Sequence, residues 1–152
     1  MNVVEIDEDE AKQIALAEYL ECDYTELEQQ KYGHYGLTQF GDYAIGTDEE
    51  ADAAAKDYIK NSLWTFNSEF IIEQCKLPWS MENMFRTWQS EKCEDCNDDL
   101  EDIIERLCGL DEFVNAAIQS NGRGHYLGTY DDCENEVHSD LLDKTYYVYR
   151  LN

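Results

Sequence analysis

The chain has 152 residues, of which 35 are Asp or Glu and 11 are Lys or Arg, so its formal net charge is -24. This charge argues against direct binding to nucleic acid and to anionic membranes, because both need basic side chains to neutralise phosphates. Hydrophobic residues make up 43% of the chain, which is too many for a disordered acidic tail, and the length fits a single acidic domain over residues 1–152.

The sequence carries no signal that places it in or across a membrane. No apolar run approaches 18 residues, so we expect no transmembrane helix. Residues 1–10 lack both the basic start and the apolar run of a signal peptide. We therefore expect a cytoplasmic protein, whose six Cys are thiols or metal ligands rather than disulfides.

The first half of the chain predicts two helices and a strand between them. Residues 9–20 predict a short amphipathic helix, and Tyr43–Gly46 predict a strand. Thr47 and Glu50 make a capping box at the start of the second helix, in which each side chain bonds the backbone amide of the other. This helix is expected to run to about Cys75 and to end at Pro78; its apolar residues at helical spacing are Ala51, Ala55, Ile59, Leu63, Phe66 and Phe70.

The second half predicts further helices followed by two strands. A long helix is expected from Ser80 to Gly109, with Asn97 and Asp98 as the residues at which it would kink or break. A shorter helix covers residues 111–119, and the aromatic residues of 125–130 and 145–151 predict two antiparallel strands. The predicted fold class is α+β, a helical hairpin plus further helices packed on a small antiparallel sheet.

Cys93 and Cys96 form a C-x-x-C motif, the spacing of half a structural zinc site. On a continuous helix Cys108 lies about 18 Å beyond Cys96, and Cys75 lies beyond the opposite end, so neither completes the site. We expect a structural zinc ion held by Cys93 and Cys96. The alternative is that both thiols are buried as small hydrophobic side chains. The remaining zinc ligands would come from Cys22, Cys133, His34, His125 and His138.

The densest charge lies in residues 91–105, which we name the acidic segment. Like charges four residues apart, such as Glu94 and Asp98, destabilise an isolated helix by roughly 0.2–0.5 kcal/mol per pair. Accepting this repulsion indicates a surface that binds a partner, although a merely solvated surface is the alternative. Lys92 is the one base of the segment, and its eight acids, all candidate partner-binding residues, are Glu91, Glu94, Asp95, Asp98, Asp99, Glu101, Asp102 and Glu105.

Four stretches of the chain resemble small acidic proteins of phage and prophage genomes. They are YAIGTDEEADA from Tyr43, SLWTFN from Ser62, GRGHYL from Gly122 with Tyr130 and Asp131, and the closing YYVYRLN. The resemblance covers about residues 40–152. Some small acidic proteins of mobile elements are anti-defence factors, including anti-CRISPR inhibitors of type II (type II-A) nucleases, and at least one kind of these binds zinc.

The charge favours a basic partner, and the most basic concave surfaces in a cell are the nucleic-acid channels of other proteins. The resemblance implies a non-enzymatic inhibitor that binds such a host protein, a type II CRISPR effector nuclease, and blocks its loading with nucleic acid. The guide–target heteroduplex of these nucleases lies in a positively charged channel. It also implies action in the cytoplasm of a host bacterial cell. Two alternatives are a DNA-mimic antirestriction protein and a metal-containing enzyme that uses Cys93 and Cys96.

Overall fold

The computed structural model describes residues 6–152, so the first five residues of the N-terminal segment discussed above lie outside it. Within these residues no helix is long and apolar enough to cross a bilayer. The fold is α+β, as predicted. Its helices are α1 (Glu8–Leu20), α2 (Asp48–Asn61), α3 (Ser68–Gln74), α4 (Glu82–Lys92), α5 (Asn97–Leu107), α6 (Leu110–Asn121) and α7 (Arg123–Leu127), and its strands are β1 (Thr38–Phe40), β2 (Tyr43–Gly46), β3 (Asn135–Ser139) and β4 (Lys144–Arg150).

Backbone contacts divide the chain into two compact units. The first unit contains the described residues up to Ala55 together with Gly122–Asn152, and the second contains Lys56–Asn121. The first unit therefore holds α1, α7 and all four strands, and the second holds α3 to α6. That the whole chain acts as one domain stays a prediction.

The first unit is built on an antiparallel sheet with the strand order β1-β2-β4-β3. Ile45 of β2 is paired with Val148 of β4, and Val137 of β3 is paired with Tyr146 of β4. The side chains of these four residues form a buried core with Leu16 and Ala15 of α1 and with Phe40 of β1. The predicted helix near residues 9–20 and the predicted strands at residues 43–46 and 145–151 are thus confirmed.

The predicted strand over residues 125–130 is wrong, because Arg123–Leu127 form α7. A Cβ added at Gly124 would lie 2.5 Å from the carbonyl carbon of Cys133, so only Gly lets these two backbones approach. Tyr126 and Leu127 are buried from this short helix rather than from a strand. A strand that the sequence did not predict, β3, follows α7 instead. Its residues do not alternate between apolar and polar types, although the side chains of Val137 and Ser139 are both buried.

The capping box at the start of α2 is confirmed. The amide of Thr47 donates to Oε1 of Glu50 at 2.9 Å, and the amide of Glu50 donates to Oγ1 of Thr47 at 3.2 Å. The other carboxylate oxygen of Glu50 pairs with the buried ammonium of Lys12 at 3.0 Å. Burial raises the pKa of Glu50, but the bonds from Thr47 and Lys12 outweigh it and leave that pKa below its ordinary value.

The predicted continuation of this helix to Cys75 is wrong, because α2 ends at Asn61 and α3 begins only after Asn67. The side chain of Asn67 accepts a hydrogen bond from the amide of Glu69 at 2.9 Å and so starts a new helix. The side chain of Asn97 provides hydrogen-bond partners for the backbone at the break. Its Nδ2 donates to the carbonyl of Lys60 at 2.8 Å, and its Oδ1 accepts from the amide of Trp64 at 3.1 Å. Only the folded second unit supplies that partner.

The predicted long helix from Ser80 to Gly109 is also interrupted. The 3₁₀ turn Cys93–Cys96 separates α4 from α5, a few residues before the expected break at Asn97. A straight helix over residues 80–108 would be about 43 Å long. A compact unit the size of residues 56–121 has a radius of gyration of only about 11 Å. The turn lets α4 and α5 both bury apolar residues in this small core.

The remaining helix of the second unit agrees with the prediction. Residues 111–119 lie within α6, which buries Phe113, Val114 and Ala117. Phe113 packs against two aromatic rings near α3, with centroid separations of 5.4 Å to Phe66 and 5.2 Å to Phe70. These rings form the aromatic core of the second unit.

Candidate functional site

The acidic segment lies in the second unit and runs from the last turn of α4 through the 3₁₀ turn into α5. Leu100 and Ile104 of α5 are fully buried, so that helix directs its carboxylates away from the core. Of the eight predicted acids, Glu101 is half-buried and seven are exposed: Glu91, Glu94, Asp95, Asp98, Asp99, Asp102 and Glu105. Their binding to a partner stays a prediction.

Three of these acids also have partners within the second unit. Glu101 pairs with Lys60 at 3.3 Å, and Asp102 pairs with Arg106 at 3.1 Å one turn further along α5. Oε2 of Glu105 accepts a hydrogen bond from the amide of Leu110 at 3.0 Å and thereby supports the start of α6. The charge that faces solvent with fewest internal ties is therefore at the beginning of the segment.

Cys93 and Cys96 differ in exposure, contrary to the interpretation that both thiols are buried on a continuous helix. Cys93 is exposed and has φ 51° and ψ -131°, whereas Cys96 is 1% exposed. The thiol of Cys96 donates to the carbonyl of Cys93 at 3.1 Å. Burial raises the pKa of the Cys96 thiol, and the charges of Asp99 and Asp95 raise it further. Cys96 is thus held in the un-ionised form, which is unsuited to nucleophilic attack.

The zinc ion expected at Cys93 and Cys96 stays a prediction. A structural zinc site is closed by four protein ligands, and these two thiols supply half of that number. Across residues 6–152 no group of three or more His, Cys, Asp or Glu side chains has the arrangement of a metal site. The zinc content of the purified protein, measured by elemental analysis, tests the prediction directly.

Cys75 and Cys108, which sequence spacing placed far apart, are neighbours in the second unit. Their Sγ atoms are 3.8 Å apart, because each residue follows the end of a helix, α3 for Cys75 and α5 for Cys108. Burial, together with the Cys108 thiol, raises the pKa of Cys75 to about 12. Cys75 and Cys108 were expected beyond opposite ends of one unbroken helix from Ser80 to Gly109. That expectation is wrong because the turn Cys93–Cys96 interrupts the helix.

A charged cluster in the first unit was not found from the sequence. The side chain of Arg123 in α7 donates to three carboxylates, those of Glu134 at 2.7 Å, Asp48 at 2.8 Å and Asp52 at 2.9 Å. Its guanidinium also lies 4.7 Å from the ring centroid of Tyr147. The i, i+4 spacing of the two aspartates on α2 was the one signal available, and it does not name the base that joins them.

This cluster, which we name the Arg123 cluster, sets one guanidinium against three carboxylates and so keeps an excess of negative charge. Burial alone would lower the pKa of Arg123, but the bonds to Glu134 and Asp48 raise it overall. Tyr149 donates to Glu134, and its burial next to that carboxylate raises the pKa of Tyr149. The cluster ties α7, α2 and the residue before β3 together.

The acidic segment thus combines exposed carboxylates with one exposed and one buried thiol. Exposed carboxylates attract basic groups in general, whereas the un-ionised thiol of Cys96 is a poor nucleophile. No family model matches this chain, and neither the curated proteins nor the solved structures compared with it include a match.

Proposed function

We propose that this protein is a non-catalytic inhibitor that binds the basic nucleic-acid-binding surface of another protein. The proposed target is a type II RNA-guided nuclease of a bacterial host. The observation that supports the proposal is the exposed acidic segment of the second unit. Its carboxylates would take the place of phosphates in a positively charged channel and prevent the loading of nucleic acid.

The spacing of the charges on α5 supports this mimicry. Glu101 and Asp102 are neutralised by ion pairs, which leaves Asp98, Asp99 and Glu105 as negative charges on this helix. These three residues span about 10 Å at 1.5 Å per residue, so their two intervals average about 5 Å. A single nucleic-acid strand carries about one charge per 3.4 Å. The helix therefore carries charges of the same sign as a strand, at a somewhat wider mean spacing of a few ångströms.

The test compares DNA cleavage by a purified type II nuclease with and without this protein, added before or after the guide RNA. The triple variant Glu94→Gln, Asp98→Asn and Asp99→Asn removes exposed charges that have no structural bond described above. We expect it to weaken inhibition by roughly tenfold or more, because each charge pair at an interface contributes modestly and the three act together. A restriction endonuclease assayed in parallel tests the DNA-mimic alternative.

A matched control removes three charges from the first unit, by Glu8→Gln, Glu10→Gln and Glu49→Gln. These acids also lie exposed in the first turns of helices, so the control reproduces both the change in net charge and the lost helix-dipole interaction. We expect it to inhibit as the wild type does. Equal inhibition by wild type and triple variant, or no inhibition by the wild type, would overturn the proposal.

A further inference from the structure

The second unit contains an apolar groove of about 800 Å³ between α4 and the end of α5. Among its lining residues are Met81, Met84 and Trp88 on one side and Ile103 and Leu107 on the other. Met84 is 57% exposed and Leu107 is 50% exposed. Single exposed apolar residues are common on proteins, but several that converge on one groove mark a binding surface.

The groove is held open by the packing of α4 on its opposite side. Gln89 is buried there, and its side-chain amide donates to the carbonyls of Leu63 and Phe66 at 3.1 Å and 3.0 Å. Phe85 is also buried and lines the floor of the groove. The ring of Trp88 packs edge-on against that of Phe85, with centroids 6.1 Å apart. The half-exposed side chains of Met84 and Leu107 lie outside this buried packing. Methionine side chains within the groove adapt easily to an occupant, because they are unbranched and polarisable.

One acidic residue lines the groove, and a second lies one helical turn from its lining. Glu91 lines the groove one turn after Trp88 on α4. Asp99 lies one turn before Ile103 on the same side of α5, since residues four apart share a helix face. Both belong to the acidic segment. The nearest bases along these helices are Lys92, four residues after Trp88, and Arg106, which is already paired with Asp102 at 3.1 Å. An occupant must therefore offer apolar side chains to the floor and positive charge to the rim.

We propose that this groove binds a basic amphipathic helix of the partner protein. The side from Met81 to Glu91 is about 15 Å long, which matches three turns of a bound helix. Apolar side chains of that helix at positions i, i+4 and i+7 would enter the groove, and flanking Lys or Arg would meet Glu91 and Asp99. This inference rests on the proposed function for the basic nature of the partner and names the element that is bound.

The negative charge of this chain disfavours three other occupants of the groove: a second copy of the chain, a nucleic acid and an anionic bilayer. A second copy of this chain carries the same net charge of -24 and would bring acidic rims together. A nucleic acid or an anionic bilayer meets the same repulsion and offers no apolar helix. A helix with basic flanks gains from both the floor and the rim.

The test uses a synthetic probe peptide of about 14 residues made of Leu and Lys, with Leu at helical spacing. A shuffled peptide of the same composition keeps the charge and removes the apolar stripe. Calorimetric titration at physiological ionic strength is expected to show the patterned peptide binding at least tenfold more tightly than the shuffled one. Equal affinity for the two peptides would overturn the proposal that the groove binds an amphipathic helix, because charge alone would then explain the binding.

The double variant Met84→Gln, Leu107→Gln places polar groups in the groove at exposed positions that the core does not need. It is expected to lower the affinity for the patterned peptide at least tenfold, whereas Leu141→Gln, at a residue 71% exposed in the first unit, leaves it unchanged. Unchanged affinity of the double variant would overturn the proposal. If the peptide binds as expected and no nuclease is inhibited, the groove stands and the proposed target falls.

Discussion

Cys93 has a backbone conformation that favours glycine. Its φ of 51° and ψ of -131° bring the Cβ of an L residue close to neighbouring backbone, which costs of order 1–3 kcal/mol. Glycine has no Cβ and adopts this conformation freely. In protein freed of metal by a chelator, we expect Cys93→Gly to raise the free energy of unfolding by about 1 kcal/mol in urea titrations, since the relief of strain exceeds the added entropy of the unfolded chain.

The control for this substitution is Cys93→Ala, which removes the thiol and keeps the Cβ. It is expected to be no more stable than the wild type, so glycine and alanine separate backbone strain from loss of the thiol. If Cys93 and Cys96 hold zinc, both variants lose metal and stability together. If Cys93→Gly were less stable than Cys93→Ala, the backbone at residue 93 would not be strained in the wild type.

Cys75 makes stability depend on alkaline pH. Its pKa in the folded protein is about 12, above the ordinary value of 9.0, so the folded state retains this proton more strongly than the unfolded state. The resulting contribution is complete below about pH 9 and is lost as the pH rises towards 12. We expect the stability difference between wild type and Cys75→Ala to shrink by about 1 kcal/mol from pH 8 to pH 10.

The measurement is urea unfolding of both proteins under reducing conditions at each pH. The comparison removes the titration of the eleven Tyr residues, which is common to the two proteins. A difference that stays constant between pH 8 and pH 10 would show that the Cys75 thiol ionises normally.

At the scale of secondary-structure elements, the Arg123 cluster joins three segments that are distant in sequence. The guanidinium donates from α7 to Asp48 and Asp52 of α2 and to Glu134 before β3, with 10% of its side chain exposed. An ammonium group is a single point and cannot reproduce this planar arrangement. We therefore expect Arg123→Lys to lower the free energy of unfolding by about 2 kcal/mol, because carboxylates are left without their partner.

The matched control is Arg106→Lys. Arg106 also pairs with a carboxylate, Asp102, but 77% of its side chain is exposed and the pair lies within one helix. Its substitution is expected to change stability by less than about 0.5 kcal/mol in the same unfolding assay. Equal losses for the two variants would show that burial of the Arg123 cluster has no energetic consequence.

For the whole molecule, the net charge of -24 predicts opposite effects of salt on stability and on binding. Like charges repel within the folded chain, and salt screens them beyond about 8 Å at physiological ionic strength. We expect the free energy of unfolding to rise by on the order of 1 kcal/mol between 20 mM and 200 mM NaCl. Binding to a basic partner is expected to weaken over the same range.

Unfolding in urea checks the first effect, because urea is uncharged and adds no screening of its own. The same salt series in the peptide titration checks the second. Stability that falls with added salt would show that ion pairs such as Lys12–Glu50, at 3.0 Å, outweigh the general repulsion.

The features that sequence alone determined are local ones. The capping box of Thr47 and Glu50 was predictable because both partners are three residues apart and the helix between them brings them together. The strands at residues 43–46 and 145–151 and the helix near residues 111–119 follow from apolar periodicity in the same way. The acids of the acidic segment could be identified from the sequence because the charge of a side chain follows from its residue type and not from its packing.

The features that tertiary structure decided depend on partners distant in the chain. Asn97 completes the backbone at the break after α2, and Arg123 joins carboxylates 71 and 75 residues away. Cys75 and Cys108 meet only because the turn at Cys93–Cys96 interrupts a long apolar pattern. A one-dimensional pattern records which residues prefer burial, but not how far a helix can run before the core of a small unit ends. The small size of the unit limits the length of its helices. The resulting break between α4 and α5 also creates the groove between these two helices.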